Sequence, residues 1–143
     1  MACPFFMPKS RCDDGGWLHP SRLPLGAGWR GECWAPGQQG TEPNHEELRE
    51  LCNLGYASSC SRLPEQRNFD AVRFSVASDG SDGVTICFVF ESAHRPAGHG
   101  LLAYDPSLAQ WTSMHPDRRI QRMAECYLES YLRRRISSPS PAH

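Results

Sequence analysis

Residues 72–90 have the sequence VRFSVASDGSDGVTICFVF, which contains the clearest strand pattern of the chain. In its first part Val72, Phe74 and Val76 alternate with polar residues, which is typical of a strand with one buried face. Residues 84–90 are apolar on both faces, which indicates a strand in the centre of a sheet. The segment between them is rich in Asp, Gly and Ser, as hairpin loops are. The sequence therefore predicts two antiparallel strands here.

The residues that follow are predicted to extend this sheet and to cover it. Two shorter strands are expected at Leu101–Tyr104 and Trp111–Met114, which gives an antiparallel meander of three or four strands. A last helix begins at Pro116-Asp117. Its apolar residues recur with helical period and can cover one sheet face: Ile120, Met123, Ala124, Tyr127, Leu128 and Tyr131. The predicted fold class is therefore α+β.

The N-terminal part of the chain has a different composition. Pro, Gly and Trp are dense up to about residue 43, which is typical of turns and irregular coil. One short helix is predicted from Asn44 to Gly55, because Asn44 and Glu47 match a capping box and glycine commonly ends a helix. We expect one compact unit with three parts: a cysteine-rich, loop-rich segment at 1–64, the sheet and last helix at 65–136, and a frayed tail at 137–143.

The cysteines carry the main functional signal. Of seven in the chain, five fall in the first 60 residues: Cys3, Cys12, Cys33, Cys52 and Cys60. Clustered cysteines in a reducing compartment indicate metal binding more often than disulfides. A long irregular segment also needs something to order it. The sequence therefore predicts a four-thiolate site made by Cys3, Cys33, Cys52 and Cys60, holding an iron–sulfur cluster such as [4Fe–4S], with structural zinc as the alternative.

The choice of these four ligands leaves alternatives open. Cys12 is set aside because the adjacent Asp13 and Asp14 raise the cost of its thiolate. His19 or His45 could replace one cysteine in a mixed site. The spacings contain no Cys-x-x-Cys pair, which most structural zinc sites and common ferredoxins have. Nearby aromatic residues favour a shielded iron–sulfur cluster over zinc: Phe5, Phe6, Trp34 and Tyr56.

The remaining cysteines and a pair of histidines carry weaker functional signals. Cys87 lies inside the central strand and is expected to pack in the core, and Cys126 is assigned no role. His94 and His99 bracket a predicted Gly/Pro loop, where exposed turn residues are more common than ligands. An enzyme with its site at this loop is a third hypothesis, but no catalytic motif is present.

Composition limits the function further. The net charge of −1 argues against nucleic acid as a partner. The longest apolar run, 84–90, is too short to cross a membrane, and no signal peptide is apparent, so a cytoplasmic location is expected. The leading hypothesis is a small iron–sulfur protein that transfers or senses electrons and has a protein partner. The alternative is a metal-free interaction module whose cysteines are buried and structural.

Overall fold

The computed structural model describes residues 1–12, 17, 23–53, 60, 62–64 and 66–137, with side chains up to residue 135. Its elements follow in chain order: β1 (Phe6–Arg11), β2 (Trp29–Cys33), α1 (His45–Glu47) with a following π-helical turn (Leu48–Cys52), β3 (Ala71–Gly80), β4 (Gly83–Ser92), β5 (Arg95–Asp105), β6 (Gln110–Ser113) and α2 (Arg118–Ser137). The α+β class, the C-terminal meander and the last helix are confirmed.

The N-terminal part contains a β-hairpin that its composition did not predict. Strands β1 and β2 are antiparallel, and Phe6 pairs with Cys33 at the open end. Gly31 stands opposite Pro8. A Cβ atom at Gly31 would overlap the carbonyl oxygen of Met7, so the close approach of the two strands requires glycine here. Glycine and proline therefore belong to the strands in this hairpin, whereas the composition indicated turns.

The larger sheet has four antiparallel strands in the order β3–β4–β5–β6. A two-residue turn, Ala93-His94, joins β4 to β5, and both residues have positive φ angles of 51° and 62°. Strand β5 consequently begins at Arg95, and His99 pairs with Val89 inside the sheet. The prediction of a loop reaching from His94 to His99 is wrong, because the Gly/Pro-rich residues 96–100 continue the strand.

The predicted capping box is present at the start of α1. The Asn44 side chain accepts from the Glu47 N–H at 2.9 Å, and the Glu47 carboxylate accepts from the Asn44 N–H at 3.0 Å. After Glu47 the backbone widens into the π-helical turn, so a regular α-helix does not continue to Cys52. Gly55, the predicted end of the helix, lies outside the described residues.

One face of the sheet is buried and the other is open. Along β4, every second residue from Val84 to Phe90 is less than a tenth exposed, whereas Thr85, Cys87 and Val89 are half-buried. The prediction that Cys87 packs in the core is therefore wrong, because it lies on the open face. Cys126 of α2 is fully buried.

Helix α2 links the N-terminal part to the sheet. The Arg122 guanidinium donates to the carbonyl oxygen of Pro8, and the Ser130 hydroxyl donates to that of Leu25, both at 3.0 Å. The buried apolar residues of both parts form one cluster, which includes Trp29, Ile86 and Met123. Among the described helices, none is both long and apolar enough to span a membrane.

Candidate metal centre

Backbone hydrogen bonds on both sides fix the position of Cys3. The preceding residue, Ala2, exchanges two backbone hydrogen bonds with Val72 at the start of β3, at 2.9 and 3.0 Å. Cys3 itself donates its N–H to the carbonyl oxygen of Cys52 at 3.1 Å, and its own carbonyl accepts from Phe6 at 3.1 Å. The N-terminus is thus held between the edge of the large sheet and the π-helical turn.

Cys33 and Cys52 come from the elements on either side of residues 34–47. Cys33 is the last residue of β2, and its N–H donates to the carbonyl oxygen of Thr41 at 2.8 Å. Cys52 ends the π-helical turn. The next residue, Asn53, is fully buried and bonds to both backbone groups of Trp29 in β2, at 2.9 and 2.8 Å. These bonds hold the start of β2 beside the end of the turn.

Cys60 approaches the same place from a separate segment of the chain. It is half-buried, and its carbonyl oxygen accepts from the Leu63 N–H at 3.3 Å. Arg62, within this turn, forms an ion pair with Glu47 of α1 at 3.0 Å, and both side chains are about a quarter exposed. The ion pair therefore connects the Cys60 segment to α1.

The four predicted cysteines line one enclosed cavity. Its wall also carries apolar side chains and the Arg62–Glu47 pair; the full lining is Cys3, Phe5, Phe6, Cys33, Pro43, Glu47, Leu51, Cys52, Cys60, Arg62 and Leu63. Phe5 and Phe6 were predicted as part of the aromatic surroundings, and the structure places them here. Tyr56 lies outside the described residues. Four soft donors, drawn from four segments of the chain, thus meet in apolar surroundings.

Burial is the main cause of the raised pKa values of Cys3 and Cys52. It raises the pKa of Cys3 from 9.0 to about 12, and the neighbouring Cys33 and Cys60 thiols add to the rise. The backbone N–H groups of Phe5 and Phe6 lower the pKa of Cys3, because they stabilise its thiolate. Burial also raises the pKa of Cys52 strongly. The other three thiols and Glu47 raise the pKa of Cys52 further. Without a metal, Cys3 and Cys52 are therefore protonated at neutral pH.

The remaining cysteines lie elsewhere in the described structure. Cys12 follows β1, is buried, and donates its N–H to the carbonyl oxygen of Gly28 at 2.8 Å. Cys87 lies on the open face of the sheet, and Cys126 is a buried residue of α2. The sequence therefore selected the four cysteines that share a cavity.

The histidines proposed as substitute ligands are placed differently. His45 is exposed at the start of α1, and His19 lies outside the described residues. His94 is in the β4–β5 turn and His99 is on the open side of β5. Arg62 also lines the cavity, and its position two residues after Cys60 was the signal in the sequence that could have indicated it.

The donor chemistry fits a thiolate-bound metal group, and the cavity would have to widen to admit a cluster. Its volume is about 10 Å³, which is no larger than a water site. Within the described residues, no three His, Cys, Asp or Glu side chains are already arranged to hold a single metal ion. Binding of a cluster would therefore require the walls of the cavity to move apart.

Comparisons with known proteins add no assignment: no family model, no curated protein and no solved structure matches this chain.

Proposed function

We propose that this protein is a small iron–sulfur protein in which Cys3, Cys33, Cys52 and Cys60 bind a [4Fe–4S] cluster. The observation that carries the proposal is the convergence of these four cysteines, from four segments, on one cavity. Thiolates are the usual ligands of such clusters, and the bound group accepts and donates single electrons. The proposed role is electron transfer to, or redox sensing with, a protein partner in the cytoplasm.

The surroundings of the thiols support this group. Backbone N–H groups near the sulfur of Cys3 stabilise negative charge on it, and such hydrogen bonds also set the potential of a cluster. Arg62 at the wall is paired with Glu47 at 3.0 Å, which limits the negative charge that Glu47 presents to the thiolates. Phe5, Phe6 and Leu63 exclude water from the same space. The chain would therefore supply ligands, hydrogen bonds to a ligand sulfur and shielding from water.

The aromatic surroundings of Phe5 and Phe6 favour a shielded cluster over a single zinc ion. Zinc requires four sulfurs about 2.3 Å from one point. A four-iron cluster binds each sulfur through a different iron, so its ligands need not meet at one position. Zinc accordingly remains the alternative cofactor and [4Fe–4S] the preferred one.

The test is the iron content of single variants purified without oxygen. We expect Cys52→Ser and Cys60→Ser each to lose most of the iron, because serine is a poor ligand for soft metals. Cys87→Ser is the matched control, since Cys87 lies on the open sheet face. Unchanged iron in both site variants would refute the assignment.

A metal-free interaction module is the second candidate. It is favoured by the small volume of the cavity and by the buried, protonated state of the Cys3 thiol. In that case the thiols act as small apolar side chains, and a protein partner binds elsewhere. Native protein without iron or zinc, whose half-buried Cys60 reacts readily with a thiol reagent, would support this function over the cluster.

A further inference from the structure

An open cleft lies beside the cysteine cavity, and Phe5 lines both. The cleft has a volume of about 900 Å³, within the range of small-molecule sites. Its walls come from the N-terminal segment, from residues around 64–69 that precede β3, and from the start of α2. None of the four proposed cysteine ligands is among its lining residues, so the cleft is a site distinct from the cysteine cavity.

Aromatic rings form the apolar part of this cleft. The rings of Phe69 and Phe90 are stacked, with centroids 4.1 Å apart and an angle of 10° between their planes. Phe5 stands at another wall, and Ile120, which is only 2% exposed, adds an aliphatic contact. Flat rings of this kind bind other flat rings by stacking or by edge contacts. The apolar part therefore fits a planar aromatic group.

Two guanidinium groups form the charged part. Arg67 bonds to Asp70 at 2.6 Å and to the carbonyl oxygen of Pro64 at 2.9 Å. Arg119 bonds to Asp117 through Nε and Nη2, at 3.1 and 2.8 Å. Both arginine side chains are less than a quarter exposed. A guanidinium has five N–H donors, so each arginine is held in place and retains donors for a ligand.

The described residues of the lining offer more hydrogen-bond donors than acceptors. Two arginines and one carboxylate, that of Asp117, are among them, and Asp70 binds Arg67 from outside the lining; the unused guanidinium N–H groups favour an anionic group with several acceptor oxygens. His115 also lines the cleft, and its Nδ1 accepts the Asp117 N–H at 2.9 Å, which places the proton of the neutral ring on Nε2. Burial lowers the pKa of His115, so the ring is neutral at pH 7 and adds a donor without adding charge.

We infer that this cleft binds a planar aromatic anion, a flat ring system bearing a carboxylate, sulfonate or phosphate group. The ring would contact Phe69, Phe90 and Phe5, and the anionic group would bind Arg67 and Arg119. The inference does not require a metal at the cysteines. Because Phe5 belongs to both walls, a bound ligand would lie next to the proposed cluster.

The test uses two fluorescent probes that differ in charge. 1-Anilinonaphthalene-8-sulfonate carries a sulfonate, whereas N-phenyl-1-naphthylamine has the same rings without it. We expect the sulfonate to bind with saturation at one site per chain, and the neutral probe to bind about tenfold more weakly, the effect of losing a charged hydrogen bond. Both titrations are made on the natively folded protein.

Variants locate the binding. Arg119→Gln and Arg67→Gln should each weaken the sulfonate about tenfold and leave the neutral probe unchanged, and Phe69→Leu should weaken both probes. Arg119→Lys keeps the charge and covers the case in which Arg119→Gln does not fold. The control is Arg73→Gln, an arginine of β3 whose side chain is 53% exposed and which does not line the cleft.

Several results would overturn the inference. The first is equal affinity of the protein for the two probes, and the second is sulfonate binding that does not saturate. The third is a control variant, Arg73→Gln, that weakens sulfonate binding as much as Arg67→Gln and Arg119→Gln do. Iron analysis of the same samples is independent of probe binding, so a failure of this inference is distinguishable from a failure of the proposed cluster.

Discussion

The backbone N–H of Cys3 donates to the carbonyl oxygen of Cys52 at 3.1 Å, across 49 positions of the sequence. This bond places the third residue of the chain against the end of the π-helical turn. The neighbouring Ala2 is held by two bonds to Val72, so the N-terminus cannot shift without breaking contacts on both sides. The candidate metal centre therefore depends on the fold as a whole, and changes at its supports should affect it.

Asn53 is the support that should matter most for stability. Its amide donates to the carbonyl oxygens of Trp29 and Leu48 and accepts from the Trp29 N–H, all within 3.0 Å, and it is fully buried. Asn53→Ala removes the side-chain partner of both Trp29 backbone groups, whereas the Leu48 carbonyl keeps its bond from the backbone N–H of residue 53 at 3.0 Å. We expect the substitution to lower the free energy of unfolding by about 3 kcal/mol, measured by urea denaturation. Asn68→Ala, at an exposed position, is the control; equal effects of the two variants would contradict this role.

Two glycines of β5 offer a matched pair for packing. A Cβ atom at Gly100 would lie 2.5 Å from the Phe88 ring, whereas at Gly98 it would make an ordinary contact of 3.7 Å with Phe90. We expect Gly100→Ala to destabilise the protein by about 1–3 kcal/mol through overpacking, and Gly98→Ala to be close to neutral. Thermal unfolding of both variants measures the difference. The reverse order of stability would show that the sheet packs differently.

In the metal-free protein, the Cys3 thiol makes the free energy of unfolding depend on pH in the alkaline range. Its pKa is raised from 9.0 to about 12 in the folded state, so above pH 9 the unfolded chain ionises first. Stability is then full below pH 9 and falls as the pH rises toward 12. Cys3→Ala should show a shallower fall, as measured by denaturation at pH 8 and pH 10. Identical slopes would mean that Cys3 is not buried as described.

Asp79 makes the stability of the protein depend on pH in the acidic range. Hydrogen bonds from Tyr131 and Arg135, at 2.6 and 2.7 Å, lower the pKa of this carboxyl group and fasten the end of β3 to α2. The stabilisation is present above pH 3.8, the ordinary value, and is lost as the pH falls through the lower folded value. We expect Asp79→Asn to be less stable than the unchanged protein at pH 7, and the difference to shrink by pH 2.5. A difference that is the same at both pH values would exclude this role.

The larger sheet and α2 were predictable because their patterns are local. Val72, Phe74 and Val76 alternate along β3, and the apolar stripe of α2 has helical period. The hairpin of β1 and β2 was not predictable from composition, because a glycine such as Gly31 usually indicates a turn. In the structure, glycine is required at this position because the backbone of Met7 lies too close for a side chain. Gly100 also indicated a turn by composition, but it lies within β5, where the absence of a side chain makes room for the ring of Phe88.

The candidate site was predictable only as a set of residues. Counting cysteines selected Cys3, Cys33, Cys52 and Cys60, and the structure brings them to one cavity. Their meeting depends on bonds between distant parts of the chain, such as that from Asn53 to Trp29, which no local pattern indicates. The part played by Arg62 follows from the same long-range packing. Metal binding itself stays a prediction.

The decisive experiment for the proposed cluster measures iron, acid-labile sulfide and the absorption spectrum of protein purified without oxygen. We expect about four irons and about four sulfides per chain, with broad visible absorption that bleaches on reduction by dithionite. One zinc ion without colour would make the centre structural and contradict the cluster. Protein that contains neither metal would contradict the metal centre altogether.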